Sequence, residues 1–276
     1  MTLFLKKMFS LPAELWQNRQ LIWKLSKNDF KTRYAGSYLG IIWAFVQPVI
    51  TILVYWLVFE KGFSAKGEIF KSGVEVPFVV YLTSGLVPWF FFSEAINNAT
   101  NALLEYNYLV KKVVFKISIL PLIKIIAASF IHVFFIGVLL IIYFLYGYRF
   151  SPYTLQLLYY SFCLFILVLA LSYTFCSVVI FFRDLTQIVN IALQIGMWAT
   201  PIMWSFTRAE GTGFEWIFRL NPVFYIVTGY RQALFDETWF WQQPGQMAYF
   251  WILTIALFAL GTFVFKRLKP HFADVL

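Results

Sequence analysis

The chain has 276 residues, of which 61% are hydrophobic, 22% aromatic and only 13% charged, and it bears a net charge of +9. Soluble domains carry about 25% charged residues, so this composition excludes one and defines an integral membrane protein. The apolar runs are continuous rather than alternating, which excludes a strand barrel and leaves an all-α membrane fold.

The N-terminus, "MTLFLKKMFSLPAELW", has an apolar core too short for a removable signal peptide and no small-residue cleavage site, so the mature chain is expected to begin here. From Leu15 to Tyr34, Trp16, Trp23 and Phe30 recur at sevens with Leu15, Ile22 and Leu25 beside them. Gln17, Gln20, Lys24, Lys27, Asn28 and Lys31 take the other face. Aromatic residues opposite lysines predict a helix lying along the membrane interface, or one packed on a partner protein. Residues 1–36, which also carry Arg33, form this cytoplasmic N-terminal segment, and residues 37–276 form the membrane domain.

About 20 apolar residues suffice for a helix to cross the hydrocarbon core. Six such spans are predicted: Tyr38–Phe59, Pro77–Ile96, Ile119–Tyr146, Leu155–Phe182, Ile188–Phe206 and Met247–Phe265. Gly36 and Gly40, in "YAGSYLG", are placed to turn the interfacial helix into the first span, or to admit a neighbouring helix closely. Within that span Trp43, Gln47, Thr51 and Tyr55 form a polar and aromatic stripe, and Pro48 frees a backbone group that a facing helix can satisfy.

The loop after the second span, "NNATNALLEYNYLVKKVVFKISILP", sets Leu103, Leu104, Tyr108, Leu109 and Val113 against Glu105, Lys111 and Lys112. It reads as a short amphipathic helix docking into a partner's groove, with a solvated loop as the alternative. Glu94 and Lys124 lie near span ends, where a lysine can snorkel to water and a glutamate can be interfacial. His132 stands alone in the third span and reads as a hydrogen-bonded structural residue rather than a proton relay. Cys163 and Cys176, thirteen positions apart in the fourth span, face different ways and are expected to pack as apolar residues, with no disulfide and no metal.

In the fifth span Gln187, Asn190, Gln194 and Trp198 share one helical face. This stripe and that of the first span read either as polar glue between helices or as the lining of a path for a neutral, hydroxyl-rich chain. Amides bond sugar hydroxyls, and aromatic faces offer sugar rings a flat apolar surface. Between the fifth and sixth spans lies "FEWIFRLNPVFYIVTGYRQALF", predicted as two short helices dipping into the outer leaflet with a break at Asn221-Pro222.

Lys6, Lys7, Arg19, Lys24, Lys27, Lys31 and Arg33, then Lys111, Lys112 and Lys116, then Lys266, Arg267 and Lys269 all fall on one side of this topology, which predicts cytoplasmic N- and C-termini. The opposite loops, with Lys61, Lys66, Lys71, Arg149, Arg208, Arg219 and Arg231 against Glu60, Glu68, Glu75, Glu210, Glu215, Asp236 and Glu237, balance. A basic cytoplasmic face points to anionic membrane lipids rather than nucleic acid. No G-x-x-x-x-G-K-[ST] phosphate loop occurs, so the chain does not cradle ATP in that way.

Taken together, "FKTRYAGSYLGIIWAFVQPVI", "LTSGLVPWFFFSEAI", "YNYLVKKVVF" and "LNPVFYIVTGYRQALF" resemble the membrane subunits of type 2 ATP-binding cassette exporters for O-antigen, capsule and wall teichoic acid. Within that family "GLVPWFFF" and "YIVTGYR" are similar to teichoic acid translocation permeases. The resemblance implies a subunit of the bacterial cytoplasmic membrane that translocates a lipid-diphosphate-linked glycan as a homodimer. Two copies of a separate ATPase would supply ATP and Mg, while this chain binds no cofactor and catalyses no bond change. The resemblance assigns the interfacial helix to Trp16 through Tyr34 and the coupling helix that meets the ATPase to Leu103, Leu104, Tyr106, Asn107, Tyr108, Leu109, Val110, Lys111 and Lys112. It assigns the outer re-entrant helices to Asn221, Pro222, Tyr225, Gly229, Tyr230 and Arg231. Lys116 stands where relatives carry proline, which leaves the end of the coupling helix less abrupt. The rival readings are an ion-coupled secondary carrier and a membrane glycosyl- or acyltransferase, for which Glu94 or His132 would be the only intramembrane catalytic candidates.

Overall fold

The computed structural model describes residues 11–36, 38–65, 67–70, 72–111, 115–209 and 211–276. In chain order the helices are α1 (Arg19–Arg33), α2 (Trp43–Trp56), α3 (Phe78–Thr100), α4 (Ala102–Glu105), α5 (Asn107–Val110), α6 (Leu120–Leu145) and α7 (Gln156–Val178). They continue with α8 (Leu185–Ala199), α9 (Glu215–Leu220), α10 (Pro222–Arg231), α11 (Pro244–Leu268) and α12 (Phe272–Val275). Between α2 and α3 the strands β1 (Glu68–Ile69) and β2 (Glu75–Val76) pair antiparallel, with Glu68 opposite Val76, a small addition to the all-α expectation.

Five helical stretches are long and apolar enough to cross a bilayer: Gly40–Gly62, Phe78–Thr100, Ile117–Leu145, Pro152–Val178 and Pro244–Val275. They match five of the six predicted spans. The helix of the predicted fifth span, Ile188–Phe206, is shorter than expected. The segment still runs from one end of the bundle to the other, with Thr186 bonded to Asn101 at 3.0 Å and Ser205 bonded to Glu68. Its helix, α8, has only 15 residues and stops at Ala199, with Thr200 already extended. At 1.5 Å per residue it is about 22 Å long, short of a hydrocarbon core of roughly 30 Å. Pro201 is the cause, because proline pushes the preceding residue out of the helical region and cannot donate to the ladder.

The elbow between α1 and α2 turns through Gly36 at φ +90° and Gly40 at φ +51°, values that side-chain-bearing residues rarely adopt. Of the two roles predicted for Gly36, the turn is the one observed, since a Cβ there would meet nothing within 4 Å.

The core is built on α3, which packs against α6, α7 and α10, while α11 packs along α7. Buried residues cover 72% of the hydropathic window of α3, against only 11% for the span containing α2. The molecule has two distinct ends. One gathers α1, α4, the start of α6 and the C-terminal turn, where Tyr173 donates to the carbonyl of Ser118 at 2.9 Å and Phe181 packs on Phe272. The other gathers the β-hairpin, α9 and α10, where Ser72 Oγ donates to the carbonyl of Phe235 at 2.7 Å and Tyr148 to that of Glu75 at 3.0 Å. The N-terminal helix, the loop after α3 and the C-terminus thus share an end, as the predicted even number of crossings requires.

Candidate functional site

The two predicted stripes lie on the least covered of the described helices longer than ten residues. On α2, Trp43 and Gln47 are exposed and Thr51 and Tyr55 half-buried, and Thr51 donates to its own helix, at the carbonyl of Gln47, 2.9 Å away. On α8 only Val189 is buried; Gln187, Gln194 and Trp198 are exposed and Asn190 is half-buried. The amides of Gln47, Gln187, Asn190 and Gln194 bond to no other described residue, so they are not glue within this chain. Both helices lean on α3, and at that contact Gly196 lies against the ring of Trp89, where an added Cβ would come within 3.0 Å.

The re-entrant pair is built as expected, with its break at Asn221-Pro222. The Asn221 side chain caps α10 by accepting from the backbone of Val223 at 3.0 Å, Pro222 occupies its first turn, and Asn221 Nδ2 donates to Thr200 Oγ1 at 2.8 Å. That second bond ties the helix break to the end of α8. α10 is buried along Val223–Val227 and again at Gly229–Arg231, which means that it enters the bundle rather than lying over it. Gly229 admits the ring of Tyr160 so closely that a Cβ would stand 2.1 Å from a ring carbon. Tyr230 shares a 2.6 Å hydrogen bond with Ser161 and a 3.2 Å contact with His132 Nε2, near the middle of the 26-residue α6. His132 is also stacked on Phe91 at 4.6 Å, which agrees with the structural role expected for it.

Arg231, counted in the sequence among balancing loop charges, is instead 5% exposed. Its guanidinium donates to the carbonyls of Pro201, Ile202 (2.8 Å) and Tyr81 (3.3 Å) and to Ser84 Oγ (3.4 Å), and lies 3.6 Å from the centre of the Tyr81 ring. The carbonyls of Pro201 and Ile202, in the non-helical segment that follows α8, thereby find donors, as buried backbone groups require. Gly85 makes the room, since a Cβ there would lie 2.8 Å from Arg231 Nη2. Two of the quoted motifs, "LTSGLVPWFFF" and "YIVTGYR", therefore meet in space.

At the opposite end α1 presents a buried stripe of Ile22, Ser26 and Asp29, and packs against α6. The aromatic residues spaced at sevens sit beside this stripe: Trp23 and Phe30 both pack edge-on against Phe130, at 5.4 and 5.6 Å, whereas Trp16 is exposed. Lys24, Lys27 and Lys31 face outward, and Lys27 lies 5.0 Å over the Trp23 ring. Asp29, which sequence reading passed over, accepts from Lys124 Nζ at 2.6 Å, Tyr106 at 2.6 Å and Arg33 at 3.1 Å. Lys124 also bonds Glu105, and Arg33 bonds Glu94 at 2.6 Å.

Lys124 is thus not snorkelling; it is 5% exposed inside an ionic knot that joins α1, α3, α4 and α6. Glu94 likewise is part-buried and paired rather than simply interfacial. Burial opposes the charge on Arg33, but Glu94 and Asp29 outweigh it and hold its pKa above the usual value. Burial, then the bond to Asp29, pushes the Tyr106 phenol well above its usual range, so it remains a donor. The signal available for Asp29 was the spacing Ile22, Ser26, Asp29, Arg33, one helical face ending in two opposite charges.

The predicted coupling helix is two single turns, α4 and α5, separated at Tyr106. Leu103 and Val110 are buried, Leu104 and Leu109 are half-buried, and Asn107, Tyr108 and Lys111 are exposed. Lys112 lies outside the described residues, and so do Lys6, Lys7 and Val113. Lys116 pairs with Glu14 at 3.7 Å, and a 3₁₀ turn, Ile117–Ile119, leads into α6.

These parts have the composition and order of a multi-pass transport subunit, and the chain belongs to the ABC-2 type transporter family, whose model matches residues 20–235. The family reading drawn from the four motifs is borne out. The chain is similar to the O-antigen export system permease protein RfbA of Myxococcus xanthus, 28% identical over 274 residues, covering 97% of this chain and 99% of that one. It is also similar to the O-antigen export system permease protein RfbA of Klebsiella pneumoniae, 25% identical over 256 residues, covering 91% and 93%.

Proposed function

We propose that this chain is the membrane subunit of an ATP-driven exporter that moves a lipid-diphosphate-linked surface glycan across the bacterial cytoplasmic membrane, as a homodimer with two copies of a separate ATPase. The observation that carries this reading is the exposure of both polar stripes, on α2 and α8, in a chain whose other spans are more deeply buried. A second copy facing them would enclose a path walled by Trp43, Gln47, Gln194 and Trp198. Those groups suit sugar hydroxyls and sugar rings and place no fixed charge in the way. The names of the relatives support O-antigen as cargo. The resemblance to teichoic acid permeases supports the other lipid-diphosphate glycan, but that polymer carries phosphate in its repeats, and an uncharged path suits the neutral chain better.

In this reading the end bearing α1, α4, α5 and the C-terminus is cytoplasmic, with Lys24, Lys27 and Lys31 set toward anionic headgroups. The ATPase meets the exposed face of α5, at Asn107, Tyr108 and Lys111, while Leu103 and Val110 anchor that face to the bundle. ATP-driven closure of the ATPases pushes on this loop, and the ionic knot passes the push to α1, α3 and α6.

Reconstitution with a separate cassette ATPase tests the reading. ATP-dependent movement of lipid-linked O-antigen or teichoic acid precursor is expected, whereas movement driven by an ion gradient without that ATPase overturns it. Lys111→Glu is expected to lower glycan-stimulated ATP hydrolysis roughly tenfold, equivalent to about 1.4 kcal/mol of docking energy, with the membrane dimer intact. Unchanged export in that variant would remove α5 from the ATPase contact. Gln194→Arg places a fixed charge in the path and is expected to stop export while leaving assembly unchanged; wild-type transport would reduce the stripe to packing.

A further inference from the structure

The end of the molecule that bears the β-hairpin holds a cavity of about 490 Å³, a volume within the range of small-molecule sites. None of the α2 and α8 stripe residues lines it. Three glutamines do: Gln232, just beyond α10, and Gln243 and Gln246, at the start of α11. All three are half-buried, and their amides bond to no other described residue. Each amide offers one acceptor and two donors. Three unspent amides converging on one concavity are an arrangement that a ligand rich in hydroxyls would satisfy.

The charged groups around the cavity each have a partner already, of which Arg219 has the loosest. Arg231 spends its donors on backbone carbonyls and Ser84. Arg219 lies 3.8 Å from Glu215 and 5.5 Å over the Phe206 ring. Glu68 accepts from Ser205 and Thr207, both at Oε1. An anion would face Glu68 and Asp236 and would have to draw Arg219 away from Glu215, whereas a neutral ligand pays no such penalty. Phe70 and Phe206 line the cavity as well and are only half-buried, so each presents apolar ring surface beside the amides. Amides for hydroxyls and rings for C–H faces are the two halves of saccharide recognition.

We propose that this cavity is an outward-facing saccharide site, one on each copy, which holds a short neutral stretch of the emerging glycan. The assignment rests on the reading of the chain as a glycan exporter and adds a second point of contact beyond the path. Binding there favours the exported state by the difference in affinity between the two sides, so the chain resists sliding back between strokes.

Protection of an introduced thiol tests it. Both native cysteines are buried, so within this chain an added maleimide reports on Gln246→Cys. The probe is the producing cell's own surface polysaccharide, freed of lipid by mild acid, applied to the complete exporter in lipid nanodiscs. Labelling is expected to slow about tenfold with saccharide at about ten times its dissociation constant. The protection should disappear when Gln232→Leu is added, and inorganic phosphate or glycerol 3-phosphate should give none.

Undiminished labelling in the presence of polysaccharide overturns the site, and equal protection by phosphate turns it into an anion or headgroup site and overturns the assignment as well. Gln243→Cys repeats the measurement from the neighbouring turn, should the first variant not assemble. ATP-driven export by the wild-type preparation is measured alongside: export without protection sinks the saccharide site alone, whereas absent export sinks the transport reading beneath it.

Discussion

Asp29→Ala is expected to destabilise the protein by ~3–5 kcal/mol, the usual result of removing one member of a buried ion pair. The carboxylate is 4% exposed and receives Lys124, Tyr106 and Arg33 at once. Without it, Lys124 keeps only Glu105, whose side chain is 50% exposed and well solvated, so a buried ammonium is left with a weakened partner. Tyr106 loses its acceptor, and the hinge between α4 and α5 loses its tie to α1. Thermal unfolding of the purified chain in detergent should show the loss, and glycan-stimulated ATP hydrolysis should fall with it.

A paired change separates stability from coupling. Asp29→Leu with Lys124→Met replaces the ion pair by apolar side chains, which is often neutral or stabilising. The double variant is expected to recover its melting temperature but not its coupled ATP hydrolysis. Recovery of both would mean that the knot is only a structural clamp. A loss below about 1 kcal/mol in the single variant, within the range of surface pairs, would show that Asp29 is not buried as described.

The second large effect is expected at Gly229. An alanine there puts Cβ 2.1 Å from Tyr160 Cε1 and 2.2 Å from Cζ, so either α10 or the Tyr160 ring has to move. Overpacking of this kind costs about 1–3 kcal/mol where neighbours can shift and more where they cannot. Tyr160 is 1% exposed and packs on Tyr225 at 5.4 Å, so it has little room. Displacing α10 would also disturb Tyr230 against Ser161 and His132, and Arg231 against the end of α8.

Gly229→Ala is therefore expected to lower the melting temperature and the yield of monodisperse protein, and Tyr160→Leu in the same chain to restore both. Gly137→Ala is the control, because a Cβ at Gly137 meets nothing within 4 Å. If the two glycine variants melt together, α10 does not pack on α7 as described.

The break at Asn221-Pro222 and the elbow at Gly36 and Gly40 were legible because each depends on the local chemistry of one or two residues: a capping amide, a ring that fixes φ, a missing Cβ. The extent of the fifth helix was misjudged for a related reason. "MWATPIMW" averages as apolar across a hydropathy window, yet Pro201 alone ends the helix at Ala199. Only the folded chain shows that Arg231 then donates to the carbonyls of Pro201 and Ile202 beyond that end. On α1, the aromatic residues at sevens drew attention to a face beside the buried one, since a heptad of large rings outweighs a small Ser26 and a charged Asp29 in any reading by residue type.

By itself the sequence determined that this is a helical membrane protein, roughly where its spans lie, which loops carry positive charge, and to which family it belongs. All of these depend on composition, periodicity or short motifs that are read along one dimension. Tertiary structure decided that Asp29, Glu94, Glu105 and Lys124 form one knot, that Arg231 is buried among carbonyls, and that α2 and α8 are left uncovered. Such pairings join residues tens of positions apart, and whether a charge is satisfied or an amide left unspent depends on which groups the packing of distant helices brings within about 3 Å.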